Sequence, residues 1–251
     1  MMRVWAILLA TIKEGVRSQV FFNLLLFGVF AVLAAVALEQ LSLGERGRAL
    51  WDSGLALLSA TNALLCVALT VRTMGGEEDR HSLLTVLVRP VRRGEVLLGK
   101  YLGVCTIAAI NTAGAGLLLV AASRLAGAGG TDRPVVLPMA GLVMEAALVA
   151  VVTLLFTTVA GTTVAAVMGM CAWLVGLGAN ELREFASKES LGALQPLMEV
   201  VYFAVPNLQR LDFNAHLPSP EVAALNLGYA ALYAAMVWSL AALVFDRRDL
   251  K

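Results

Sequence analysis

The sequence predicts an all-α membrane protein with six transmembrane helices, and three observations carry that expectation. Of its 251 residues, 59% are hydrophobic and only 15% are charged, where a soluble domain averages about 45–50% and about 25%. The mean hydropathy is +0.81. The apolar residues fall into six separate runs, each near the ~20 residues that cross a bilayer. Too few polar residues remain to cover a water-soluble globule, which excludes a soluble enzyme. The chain reads as one transmembrane domain over 1–251, with no internal repeat and no separate soluble domain.

The first 18 residues do not read as a cleavable signal peptide, because Lys13, Glu14 and Arg17 interrupt the apolar run and no small-residue cleavage site follows. At helical spacing Trp5, Leu8, Leu9, Ile12 and Val16 share a face, with Arg3, Lys13 and Arg17 off it. That pattern predicts a helix over 1–18 lying in the membrane interface. The predicted spans are Val20–Leu38, Ser53–Val71, Tyr101–Ala122, Pro138–Ala160, Thr162–Gly178 and Val222–Phe245. Only Gly161 and its neighbours separate the fourth from the fifth, which reads as a tight helical hairpin.

Lys and Arg in the loops orient the spans. With the N-terminus in the cytoplasm, that side holds twelve: Arg3, Lys13 and Arg17; Arg72, Arg80, Arg89, Arg92, Arg93 and Lys100; Arg247, Arg248 and Lys251. The other side holds seven, spread over longer loops. Both termini are therefore expected in the cytoplasm. Two connections are too long for turns. The cytoplasmic one, 72–100, is the charged one. The outer one, 179–221, contains an apolar stretch, Leu194–Val205, too short to cross, and is punctuated by Pro196, Pro206, Pro218 and Pro220. It reads as a re-entrant or interfacial piece, since irregular backbone at membrane depth survives only inside protein.

Catalytic signatures are missing: there is no HExxH, no GxSxG and no paired intramembrane aspartates. Cys66, Cys105 and Cys171 lie in apolar runs without a CxxC, and His81 and His216 are far apart, so neither a disulfide framework nor a metal site is indicated. The stretch from Gly94 to Lys100 has the GxxxxGK skeleton of a phosphate-binding loop. However, Tyr101 stands where Ser or Thr must reach magnesium, and the segment runs straight into a span. Glu145 is the one clear ionisable residue inside a span and a functional candidate on that ground, as a pathway or gating group or as a structural one. Asn62 with Ser59 and Thr61, and Asn111 with Thr112, can line a pathway or hydrogen-bond between helices. Gly99 and Gly103, with Gly169, Gly176 and Gly178, permit close helix contact.

The 72–100 segment is the most informative. Gly75 and Gly76 are expected to end the second span, and Glu77, Glu78 and Asp79 then stand at a helix start, the end favourable to carboxylates. Arg80 follows, then Leu83, Leu84, Leu87 and Val88 at one-face spacing, and Pro90 stops the helix ahead of Arg92 and Arg93. The expected product is a short amphipathic helix below the bilayer whose apolar stripe seeks either lipid or a groove on another protein.

This acid-rich start, the Leu83-Leu84-Thr85-Val86-Leu87 core and the run Arg89-Pro90-Val91-Arg92-Arg93 leading to Leu98-Gly99-Lys100 resemble the cytoplasmic loop of type-2 ABC exporter permeases. The subgroup is that of the nitrous-oxide-reductase maturation and gliding-motility permeases. The six-span plan, the N-terminal helix and the Val205–Phe213 segment are similar as well, while His81-Ser82 stands where family members often carry Gly-Thr. The resemblance implies a non-catalytic permease subunit in a bacterial inner membrane, with no cofactor of its own. Glu77, Glu78, Asp79, Arg80, Leu83, Leu84, Leu87, Pro90, Arg92 and Arg93 would form a coupling helix and its flanks. That helix would sit in a groove of a separate nucleotide-binding subunit, present in two copies and carrying ATP and magnesium. A second permease, identical or related, would complete the pathway, and no nucleic acid is expected. Two other readings stand beside this one: an ion-coupled secondary transporter, in which Glu145 would be central, and a membrane scaffold or mechanotransducer on the same fold that moves no solute.

Overall fold

Hydrocarbon offers no hydrogen bonds to an exposed backbone, so a chain this apolar satisfies its amides within helices. The computed structural model describes residues 2–17, 29, 33, 37, 46–78, 93–125, 135–186, 195–214 and 218–247. Every regular element among them is helical: α1 (Met2–Val16), α2 (Arg46–Glu78), α3 (Arg93–Leu125), α4 (Val136–Val159), α5 (Thr162–Leu177), α6 (Ala179–Ala186), α7 (Gln195–Ala204), a 3₁₀ turn (Leu208–Leu211) and α8 (Pro220–Arg247).

Among the described residues four helices are long and apolar enough to cross a membrane: Leu50–Met74 of α2, Gly94–Arg124 of α3, the whole of α4 and the whole of α8. The protein is a multi-pass membrane protein. The fifth expected span forms a single helix, α5, of 16 residues. At 1.5 Å per residue it is about 24 Å long, shorter than a hydrocarbon core of about 30 Å. The first expected span, Val20–Leu38, lies outside the described residues except at single positions.

The spans alternate in direction. Near one end of the bundle Gly54 of α2 abuts Leu119 of α3, and Gly116 of α3 abuts Met139 of α4. At the opposite end the buried ammonium of Lys100 on α3 donates to the Thr73 carbonyl of α2 at 2.7 Å. Leu65, Leu69, Val104, Ile107, Leu148 and Val149 fill the space between α2, α3 and α4. The expected hairpin is present: extended backbone at Ala160 ends α4, and Gly161 opens α5. Gly169 of α5 then lets the Thr153 side chain of α4 approach. α8 returns to the Lys100 end, where its Ala241 and Phe245 pack with Leu97 and Leu154.

Three local features differ from the sequence reading or add to it. First, Gly75 and Gly76 do not end α2, which continues to Glu78. A helix-interior glycine costs about 1 kcal/mol relative to alanine, too little to stop a 33-residue helix whose hydrogen bonds propagate cooperatively. Second, α1 forms as expected and also packs on α3 along an edge that the sequence reading did not single out. Val4, Ile7, Leu8 and Thr11 meet Gly99 and Gly103 of α3, and Gly15 meets Ile107. Contacts that advance together along both helices lay α1 lengthwise beside α3. Trp5 and Leu9, on the expected apolar face, are 62% and 49% exposed. Small residues decide this, because a Cβ at Gly103 would come within 2.7 Å of the Thr11 Cβ. Third, in the 179–221 connection the apolar stretch of α7 stays outside, with Phe203 78% exposed. Its neighbour enters instead: Leu208, Leu211 and Phe213 are buried. Gly141 and Gly176 make room for this entry, since a Cβ on either would strike the carbonyls of Leu211 and Pro206 respectively.

Candidate functional site

Glu145 lies one helical turn along α4 from Gly141, where the 3₁₀ segment crosses. It is 8% exposed. Two donors converge on its Oε1: the Ser59 hydroxyl of α2 at 2.6 Å and the Trp173 indole N–H of α5 at 2.8 Å. One carboxylate oxygen thus ties three helices together. Among the described residues no donor is placed on Oε2.

The carboxylate borders a cavity of about 370 Å³ at the end of the bundle where α2 and α4 begin. Leu55, Leu142, Leu177 and Phe213 supply apolar wall, and Asp52 and Asp212 join Glu145 in the lining. Asn214 organises the two exposed aspartates, its Nδ2 donating to Asp52 Oδ1 at 2.7 Å and its backbone N–H to Asp212 Oδ1 at 3.1 Å. The wall formed by residues 206–213 is locked from behind. Tyr229 of α8 accepts the Asn207 backbone N–H at 3.2 Å, Asn207 Nδ2 donates to Asn180 Oδ1 at 3.0 Å, and the Arg210 guanidinium sits 5.0 Å over the Tyr229 ring.

The other candidates fall elsewhere. Asn111 Nδ2 donates to Asn62 Oδ1 and Asn62 Nδ2 to Thr112 Oγ1, each at 2.8 Å. Both asparagines are buried and serve as an α2–α3 clasp, and neither lines the Glu145 cavity. Asp79, Arg80, Leu83, Leu84, Leu87, Pro90 and Arg92 lie outside the described residues. Of Glu77, Glu78 and Arg93 the structure describes the backbone alone, at the last turn of α2 and the first of α3. The GxxxxGK stretch is helical throughout, and its Lys100 is buried against α2. No group of three His, Cys, Asp or Glu suited to a metal ion occurs among the described residues.

Sequence reasoning reached Glu145 and Ser59 but passed over Trp173, Asp52, Asp212 and Asn214. A tryptophan inside a glycine-rich span was the available signal for Trp173. The two aspartates carried none, because loop acids are common and only folding of the 206–214 segment brings Asp212 beside Asp52. No protein-family model matches the chain, and no curated protein matches it in sequence.

Proposed function

We propose that this chain is the permease subunit of an ATP-driven exporter in a bacterial inner membrane, both termini cytoplasmic, working with a second permease and two copies of a separate ATPase. The loop motif between Glu77 and Lys100 and its resemblance to type-2 exporter permeases are the basis of the reading. The observation that supports it most is the brace at the base of that loop. α2 and α3 are each 33 residues long, about 50 Å at 1.5 Å per residue, and they flank residues 79–92. The buried Lys100–Thr73 bond joins them where they leave the bundle, and α1 stiffens α3 along Gly99 and Gly103. A force on the segment between them therefore reaches two rigid spans at once. The work comes from the partner, because ATP that closes the ATPase dimer biases the two permease conformations only through its differential effect on them.

The test is purification of the tagged chain in mild detergent from its native host, beside a Leu83→Asp/Leu87→Asp variant. The expected result is an ATPase that accompanies the wild type and is lost with the variant. A complex without any nucleotide-binding protein overturns the reading. A second reading, ion-coupled transport without ATP, is favoured by one observation, the buried Glu145 carboxylate at an acidic cavity. It predicts transport that follows an ion gradient in vesicles lacking nucleotide.

A further inference from the structure

The cavity beside Glu145 has the dimensions of a ligand site, since small-molecule pockets run from about 300 to about 1,000 Å³ and this one holds about 370 Å³. Glu145 places a buried carboxylate at its floor, and no Lys, Arg or His stands among the described lining residues. At the floor, Ser59 and Trp173 satisfy Oε1 with neutral donors. A buried carboxylate is favourable only when paired or well hydrogen-bonded, and among the described residues Oε2 has no donor.

The alternatives to an organic cation fit less well. A bare divalent ion needs several converging ligands, and no group of three His, Cys, Asp or Glu suited to one occurs among the described residues. An anion meets the buried Glu145 carboxylate. A fully hydrated ion has no use for Leu55, Leu142, Leu177 and Phe213, which leave most of the cavity wall apolar.

We propose that this cavity binds a small amphiphilic organic monocation, an ammonium carrying an aliphatic or aromatic body. The ammonium pairs with Glu145 and the body lies along Leu142, Leu177 and Phe213. This names a ligand class for the proposed transport pathway and rests on the exporter reading for the translocation step. Binding itself requires no ATPase and is measured without one.

The experiment uses the full chain in phosphatidylcholine nanodiscs with octylammonium as probe, and octanoate and octanol as charge controls. Octylammonium is expected to raise the unfolding temperature saturably, with neither control doing so. Glu145→Gln keeps an acceptor for Ser59 and Trp173 and is expected to weaken the apparent affinity at least about tenfold. Ala56→Phe adds bulk at the cavity wall without touching the carboxylate and is expected to abolish the response, so it decides the matter should Glu145→Gln not fold. Stabilisation by octanol equal to that by octylammonium, or a response unchanged in either folded variant, overturns the proposal. Octylammonium binding by a chain that recovers no ATPase refutes the exporter reading alone, and an ATPase recovered with a chain that ignores octylammonium refutes this assignment alone.

Discussion

The indole N–H of Trp173 and the carboxylate of Glu145 meet at 2.8 Å between α5 and α4, on the same oxygen that accepts the Ser59 hydroxyl of α2. Because both donors use Oε1, their contributions are coupled. Ser59→Ala and Trp173→Phe are each expected to cost about 0.5–2 kcal/mol, the range for single hydrogen bonds in membrane bundles and for bonds to charged groups. Their double mutant should fall short of the sum by about 0.5 kcal/mol or more. Reversible unfolding in mixed micelles measures the cycle, and strict additivity would show that the shared acceptor is incidental.

The α1–α3 contact depends on missing side chains. Gly103→Val would drive a Cβ into Thr11, so a loss of about 1–3 kcal/mol is expected, as for other overpacked sites. Gly114, on the same helix, has open space where its Cβ would be. Gly114→Ala should therefore be neutral or stabilising by up to about 1 kcal/mol. Thermal unfolding of the two variants side by side separates close packing from a general intolerance of glycine replacement.

Lys100 is a structural brace. Replacing it with Met removes the donor from the Thr73 carbonyl while keeping an unbranched chain of similar size. The expected cost is about 1–3 kcal/mol. Cysteine pairs placed at the Glu78 end of α2 and the Arg93 end of α3 should cross-link over a broader range of reagent lengths in Lys100→Met than in the wild type. An unchanged cross-linking pattern would show that apolar packing alone holds the two helices together.

The cavity wall is held by backbone approach at two glycines. Gly141→Ala and Gly176→Ala would each push a Cβ against a carbonyl of the 206–211 stretch. Both should release that stretch from the bundle and raise its cleavage by added protease several-fold, because cleavage follows the population of the open form. Gly161→Ala, with nothing near its Cβ, is the matched control and should leave cleavage at that stretch unchanged.

How much was legible in the sequence varies with the range of the interaction. Three of the four long spans were readable to within three residues at each end, because the hydrophobic signal is local and summed over some 20 positions, while the span expected from Tyr101 begins at Gly94. The α4–α5 hairpin was readable from Gly161. The end of α2 was misread at Gly75 and Gly76, where the continuity of a long helix outweighs two local preferences. The face of α1 that holds Trp5 and Leu9 was read as membrane-facing and is exposed, but periodicity gave no sign of the edge that packs on α3. Here Gly99 and Gly103, more than 90 residues away in the chain, award the Val4, Ile7 and Thr11 edge to protein and leave Trp5 outward.

By itself the sequence determined that the chain lives in a bilayer, that it is helical, roughly where its spans run, and that Glu145 is a costly residue needing a reason. Those conclusions come from composition and from period-3.6 patterning, which need no partner. Only the tertiary structure decided what surrounds Glu145. Its donors come from α2 and α5, and its cavity from a segment that folds back between Gly141 and Gly176. The physical reason is that a buried charge is defined by the groups within a few ångströms of it, and in a bundle of antiparallel helices those groups come from distant parts of the chain.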